Sequence, residues 1–245
     1  MTLIRSALFF VYFALVSAAM AILFVPLLAG PASWSAWVGR IWSHAVFFGL
    51  RAIAGLGYEV RGPIPPPGRL VAIKHMSMWD TMAIHTLLGN PAIVLKRQLL
   101  FVPFYGWYLY RAGMIPISRE GGAQALRRMT EMARQRFADG RSIVIFPEGT
   151  RKKAHAPPDY KPGVAALYGQ LDVPCVPVAL NSGLFWTGPV GFLKKPGRVV
   201  VEFLEPIPAG MQRRPFMQLL ESRIETATTA LVAEGEALLG GRNIA

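Results

Sequence analysis

A mixed α/β fold is what this sequence predicts: roughly seven strands in one sheet flanked by helices, preceded by a hydrophobic two-helix membrane motif. Three observations carry that expectation. From residue 58 onward short apolar runs alternate with segments of helical periodicity. The length of 245 residues suits one α/β domain with an appendage better than two full domains. No charged residue occurs from Ser6 to Gly39, a stretch long enough to enter or cross a bilayer.

The chain opens with an almost unbroken apolar run from Ala7 to Leu28, read as a first helix. Arg5 and the small residues around Ser17-Ala18-Ala19 imitate a secretory signal, but apolar residues continue to Leu28, where a mature chain would turn polar. Gly30-Pro31 marks a turn. A second helix follows, with Trp34, Trp37 and Trp42 among Arg40, His44 and Arg51, a mixture suited to a membrane interface. Residues 1–57 are therefore expected to form the membrane-embedded or interfacial motif, and 58–245 the α/β domain. Removing residues 1–30 is expected to weaken membrane attachment without unfolding that domain. Lys and Arg concentrated downstream of the first helix place the domain on the cytoplasmic side, as at a bacterial inner membrane.

After the turn-rich Gly62-Pro63-Ile64-Pro65-Pro66-Pro67-Gly68, the expected strands are 58–61, 69–74, 92–96, 113–117, 142–146, 175–180 and 198–204. Helices are expected over 77–88, over 123–137 with Leu126, Met129, Ala133 and Phe137 on one face, and over 215–239 with Phe216, Leu220, Ile224, Ala227 and Leu231 as its stripe.

Composition narrows the chemistry. Lys and Arg number 26 against 14 Asp and Glu, a formal charge of +12, and 53% of residues are hydrophobic, which excludes a disordered chain. Charge and greasiness together point to an anionic membrane surface. Nucleic acid is the other partner of basic proteins, but neither a zinc finger nor a basic zipper is present, so none is expected. One cysteine excludes an intramolecular disulfide framework and a cysteine-based zinc site; with four scattered histidines, the expectation is chemistry without metal or cofactor.

In open α/β sheets ligands bind beyond the carboxyl ends of the strands. There the sequence has His75, Lys96, Arg119 and the group Glu148-Gly149-Thr150-Arg151. Asp80 follows His75 by five positions. On one continuous helix the two would lie about 140° apart and could not meet. Ser77 followed by Asp80 has the spacing of a helix N-terminal capping box, with Ser77 as N-cap, which leaves His75 outside the helix and lets the carboxylate reach back to it. The plainer alternative, in which Asp80 only caps and His75 only ends a strand, is equally compatible with the spacing. No Gly-x-Ser-x-Gly elbow exists, and Cys175 opens a strand as a small buried residue. With no protein nucleophile evident, a His–Asp base acting on a substrate hydroxyl is the reading that remains.

Four ordered blocks, His75-Met-Ser-Met-Trp-Asp80, Gly113-Met-Ile-Pro-Ile-Ser-Arg119, Phe146-Pro-Glu-Gly-Thr-Arg151 and Val176-Pro-Val-Ala, resemble those of the glycerolipid acyltransferase family. The resemblance covers about residues 70–180. It implies that His75 is the general base for the 2-hydroxyl of lysophosphatidic acid, oriented by Asp80, with acyl-CoA or acyl carrier protein as donor and phosphatidic acid as product. It further implies that Lys96, Arg119, Glu148, Gly149, Thr150 and Arg151 hold the acceptor phosphate, with Glu148 positioning basic side chains or the glycerol. Val176-Pro177-Val178 is implied to be structural and to line an acyl channel. Gln98, Pro116 and Ser118 depart from the family pattern, which bears on acceptor preference. Another lysolipid acceptor, such as an ornithine-derived one, and a non-catalytic lipid-binding protein are the competing readings; a retained base argues against the second. His85 and His155 receive no role, and Lys152 and Lys153 read as a solvated charge run.

Overall fold

The computed structural model describes residues 1–118, 121–187 and 191–241. Helices α1 (Thr2–Leu23) and α2 (Ala32–Gly49) form an antiparallel hairpin around the Gly30-Pro31 turn. The chain then runs through β1 (Leu56–Arg61), β2 (Leu70–Ile73), α3 (Trp79–Leu87), β3 (Ala92–Lys96), α4 (Tyr105–Arg111), β4 (Ile115–Ile117), α5 (Gly122–Ala138) and β5 (Ile143–Ile145). It continues through α6 (Gly163–Leu171), β6 (Cys175–Leu180), β7 (Trp186–Thr187), β8 (Leu193–Lys194), β9 (Gly197–Phe203) and α7 (Arg213–Gly241).

All seven expected strands enter one sheet, in the order β1-β9-β6-β2-β5-β3-β4. β6, β2, β5, β3 and β4 are mutually parallel, while β9 runs antiparallel to β6 and carries β1 parallel to itself. The carboxyl ends of β2, β5, β3 and β4 thus emerge side by side along one rim. Central strands buried on both faces read as continuous apolar runs, and β2 divides its residues accordingly: Val71 and Ile73 face one core, Leu70 and Ala72 the other. The first core is covered by the hairpin and α3, the second by α5, α6 and α7. The predicted stripes of α5 and α7 supply the second core, with Met129, Ala133, Phe216, Leu220 and Ile224 buried.

Helices α4 and α6 and the short β7–β8 pair were not expected. Each is nine residues or fewer, too short for periodicity to separate it from loop. In α4 the aromatic run Tyr105-Gly106-Trp107-Tyr108 hides the pattern. Helix α3 begins at Trp79 with Met78 as its N-cap, not at Ser77.

The hairpin is built into the first core. Phe9 is 1% exposed and meets Trp186 edge-on at 5.9 Å, and Ser6 Oγ accepts the Lys194 backbone N–H at 3.0 Å. Trp42 Nε1 donates to Ser17 Oγ at 2.9 Å, and Tyr108 Oη of α4 donates to Ala21 O at 3.3 Å. Gly49 permits this approach: a Cβ there would lie 2.1 Å from the Tyr12 ring. Contacts near both ends of α1 therefore tie it to the α/β domain. This revises the expectation of a removable segment, because deleting residues 1–30 would strip Phe9 from the main core. The outer face of α1 stays apolar and exposed through Leu3, Ile4, Leu8, Phe10, Val11 and Leu15, continued by Trp34 and Trp37. Among the described residues α1 is the one helix long and apolar enough to cross a membrane, at 22 residues and mean hydropathy 2.3.

Phe9→Ala is expected to lower stability by about 3 kcal/mol, the usual cost of emptying a buried aromatic site. Thermal unfolding in detergent should register a clear fall in Tm; an unchanged Tm would mean that the hairpin only rests on the domain.

Candidate active site

The Asp80 carboxylate, 1% exposed as a residue, is densely hydrogen-bonded. Oδ2 accepts the Met76 N–H at 2.7 Å and the Ser77 N–H at 2.9 Å, and lies 2.9 Å from His75 Nδ1. Oδ1 accepts Ser182 Oγ at 2.5 Å and Ser77 Oγ at 3.3 Å. The bond from the Ser77 N–H is the backward reach of a capping box; Ser77 Oγ in turn accepts the Trp79 N–H at 3.1 Å. An ionised carboxylate is acceptor-only, so Nδ1 of His75 carries the proton and donates it. Nε2 is left as an acceptor. The imidazole stacks on Phe146 at 4.1 Å between centroids, 26° from parallel, which fixes the plane in which Nε2 points.

Lys74, one residue before His75, is 2% exposed and holds three elements together. Its Nζ donates to Glu148 Oε1 at 2.8 Å and to Glu225 Oε1 and Oε2 of α7 at 2.8 and 3.0 Å; Tyr160 Oη also donates to Glu225 at 2.9 Å. Burial pushes the Glu148 carboxyl above its ordinary value, and Lys74 opposes that rise. The following loop turns at Gly149, whose φ of 60° lies in the left-handed region open to glycine. The Lys152 N–H then returns to His75 O at 2.8 Å.

His75 opens on a cavity of about 1470 Å³ bounded by α1, α2, α3, α4, α5 and the carboxyl edge of the sheet. Its walls are mostly apolar. At its rim Lys96 arrives from the end of β3, and Gly149, Thr150 and Arg151 from the loop after β5. The positive charge of Arg151 reaches Tyr105 across the cavity, opposing the rise that burial imposes on that phenol.

At this rim one expectation fits and one is corrected. Glu148 positions a basic side chain, the first of the two roles expected of it: its carboxylate is turned toward buried Lys74 and does not line the cavity, since a desolvated anion requires a cationic partner. Val176-Pro177-Val178 lies in β6 beside β2, buried within the sheet and absent from the cavity wall. Arg119 lies outside the described residues. Cys175 is buried at the start of β6, and burial pushes its thiol well up. His155 pairs with Glu236 at 2.8 Å on the surface, whereas His85 lines the cavity.

Sequence reasoning missed Lys74, Ser182 and Phe146 as partners of the dyad. A lysine directly following the buried strand Leu70–Ile73 was the available signal for the first. Its partner Glu225 is 151 residues away and Ser182 is 102 residues from Asp80, separations to which no local pattern speaks.

A histidine oriented by a buried carboxylate thus stands at the mouth of an apolar cavity on the carboxyl edge of an α/β sheet, an arrangement in which a side-chain base faces an apolar ligand space. The chain belongs to the Acyltransferase family, whose family model, described by that word, matches residues 58–181. It is 34% identical over 162 residues to 1-acyl-sn-glycerol-3-phosphate acyltransferase of Pseudomonas aeruginosa, covering 65% of this chain and 63% of that protein. It is 30% identical over 171 residues to human 1-acyl-sn-glycerol-3-phosphate acyltransferase beta, covering 68% and 59%. The matches thus span less than two thirds of these relatives' lengths. The crystal structure of the 1-acyl-sn-glycerophosphate (LPA) acyltransferase PlsC from Thermotoga maritima shares the fold, with a TM-score of 0.77 at 19% identity over 94% of this chain and 98% of that one.

Lys74→Met is expected to destabilise the protein by about 3 kcal/mol, because it leaves the buried Glu148 carboxylate uncompensated. The Lys74→Met, Glu148→Leu double variant should recover part of that loss in thermal unfolding. If the single variant unfolds like wild type, Lys74 is not the clamp between β2, the loop after β5, and α7.

Proposed function

We propose that the protein transfers an acyl group from a thioester, acyl-CoA or acyl carrier protein, to the sn-2 hydroxyl of lysophosphatidic acid, forming phosphatidic acid. The observation that carries this reading is the His75–Asp80 pair, 2.9 Å apart, facing a large apolar cavity beneath a cationic rim. A single-chain lipid with an anionic head matches that division of polarity.

In the proposed reaction His75 Nε2 takes the proton of the acceptor hydroxyl as its oxygen attacks the thioester carbonyl. The carbon–sulfur bond then breaks, and the departing thiolate receives the proton from Nε2. Asp80 stabilises the imidazolium between these two transfers and keeps the ring in the tautomer that accepts at Nε2. Lys96, Arg151 and the backbone around Gly149 and Thr150 hold the acceptor phosphate, with Arg119 assigned to the same task from the motif it closes. Glu148 serves indirectly, through Lys74 and the loop it anchors. The reaction so written requires no metal or organic cofactor.

The exposed apolar face of α1, together with Trp34 and Trp37, supports attachment to a phospholipid membrane. Because α1 is tied to the domain near both ends, we infer that it lies in one leaflet, with the domain on the cytoplasmic side of a bacterial inner membrane. The lysolipid then reaches the cavity without leaving the bilayer surface, and the acidic donor approaches from water toward a chain of charge +12.

His75→Ala is expected to reduce phosphatidic acid formation by at least about 10³-fold and Asp80→Asn by about 10²-fold or more, with membrane association retained. Radiolabelled acyl transfer in detergent checks both, and near-normal turnover of His75→Ala would reject the base. Arg151→Ala should raise the KM for lysophosphatidic acid about tenfold; an unchanged KM would remove Arg151 from the phosphate site.

A further inference from the structure

Apolar surface is concentrated on a second segment, apart from the outer face of α1. Between Arg97 and Arg111 six of fifteen residues are aromatic, against 11% in the whole chain, and none is Asp or Glu. Phe101 is 73% exposed, Trp107 50% and Tyr110 73%, with Val102 exposed beside them. None of these four lines the cavity, so they face outward, whereas Leu99, Pro103, Phe104, Tyr105 and Tyr108 of the same segment form its inner wall. The outward residues are held in place. The 3₁₀ turn Arg97–Phe101 folds back on α4 so closely that a Cβ at Gly106 would lie 2.1 Å from Leu100 O. Trp107 and Tyr110, three positions apart, are neighbours on the surface of α4. This patch adjoins the hairpin. Tyr108 Oη donates to Ala21 O at 3.3 Å and Arg111 donates to Gly30 O, which brings α4 against the end of α1 where Ile22 and Leu23 are exposed.

We propose that the segment Arg97–Arg111 is a second membrane-contacting element, with Phe101, Val102, Trp107 and Tyr110 seated at the headgroup boundary of an anionic bilayer beside the hairpin tip. Single exposed apolar residues need no explanation, but a contiguous patch marks an interaction surface. Tyr and Trp join an apolar body to a polar tip, the combination that settles where lipid meets water. Arg97 and Arg111, both exposed, bracket the patch and suit lipid phosphates, and no acidic side chain between them opposes that contact. These flanking guanidinium groups and the continuity with the exposed end of α1 favour a bilayer over a protein partner. With α1 as the sole contact, the domain would be free to roll about the helix axis. A second contact on α4 stops that rotation and keeps the cavity wall formed by this segment against the lipid phase.

The inference rests on the proposed membrane attachment through α1, and its test separates the two. Full-length Cys175→Ala protein is given a single cysteine in place of Leu8, Tyr110 or Gln135, the last exposed on α5, which covers the opposite face of the sheet from the hairpin. Each variant is labelled with an environment-sensitive fluorophore and reconstituted into phosphatidylethanolamine–phosphatidylglycerol vesicles that contain a lipid with a nitroxide near its headgroup. Labels replacing Leu8 and Tyr110 should be quenched at least about twofold more strongly than the one replacing Gln135, as side chains at the lipid boundary would be. Quenching at Leu8 but not at Tyr110 overturns the second contact and leaves the α1 attachment standing; quenching at neither removes both. A Tyr110 label that escapes the lipid nitroxide yet is shielded from aqueous iodide has a protein neighbour, and this too overturns the proposal. Independently, the Phe101→Ser, Trp107→Ser, Tyr110→Ser variant should partition onto these vesicles about tenfold more weakly, with thermal unfolding in detergent as in wild type. Undiminished partition overturns the proposal.

Discussion

One carboxylate organises the catalytic rim. Asp80, in the first turn of α3, receives two backbone N–H groups, two hydroxyls and an imidazole, and it receives them from two other parts of the chain: the turn after β2 and the segment after β6. A buried anion is tolerated only when so satisfied. The same bonds that satisfy its oxygens also orient the His75 ring, so the stability of the turn and the placement of the imidazole have a common origin.

Directly behind that turn, Lys74 performs a second act of charge compensation. Its position next to His75 means that the strand ending in the base is locked to the loop bearing Gly149, Thr150 and Arg151 and to the C-terminal helix. Removal of the cation would loosen the base and the rim together. Glu148, in the Phe-Pro-Glu-Gly-Thr-Arg block, is therefore bonded to the scaffold and does not line the cavity.

Most of the fold was legible because it rests on patterns with a short physical range. Buried parallel strands announce themselves as brief apolar runs, which is why β3 and β6 begin and end as expected. The long stripes of α5 and α7 were equally plain. Short elements such as α4 and α6 were not, since two turns give too few repeats of the helical period. In the site, the His75–Asp80 approach was open to two readings from spacing alone, and the cap geometry that joins them is a local one. The Lys74–Glu225 clamp and the Ser182 bond depend on tertiary neighbours and had no local signature.

The order of apolar and polar residues by itself determined the seven strands, the apolar hairpin and the gathering of charged residues at strand ends, since each follows from backbone periodicity and turn chemistry, while the motif blocks marked the family by resemblance. Tertiary structure alone decided that the hairpin becomes part of the core and a wall of the cavity, and that Glu148 turns away from the rim. These outcomes hang on which buried groups find partners across distant stretches of chain, a balance of desolvation and packing that exists only once the layers have closed.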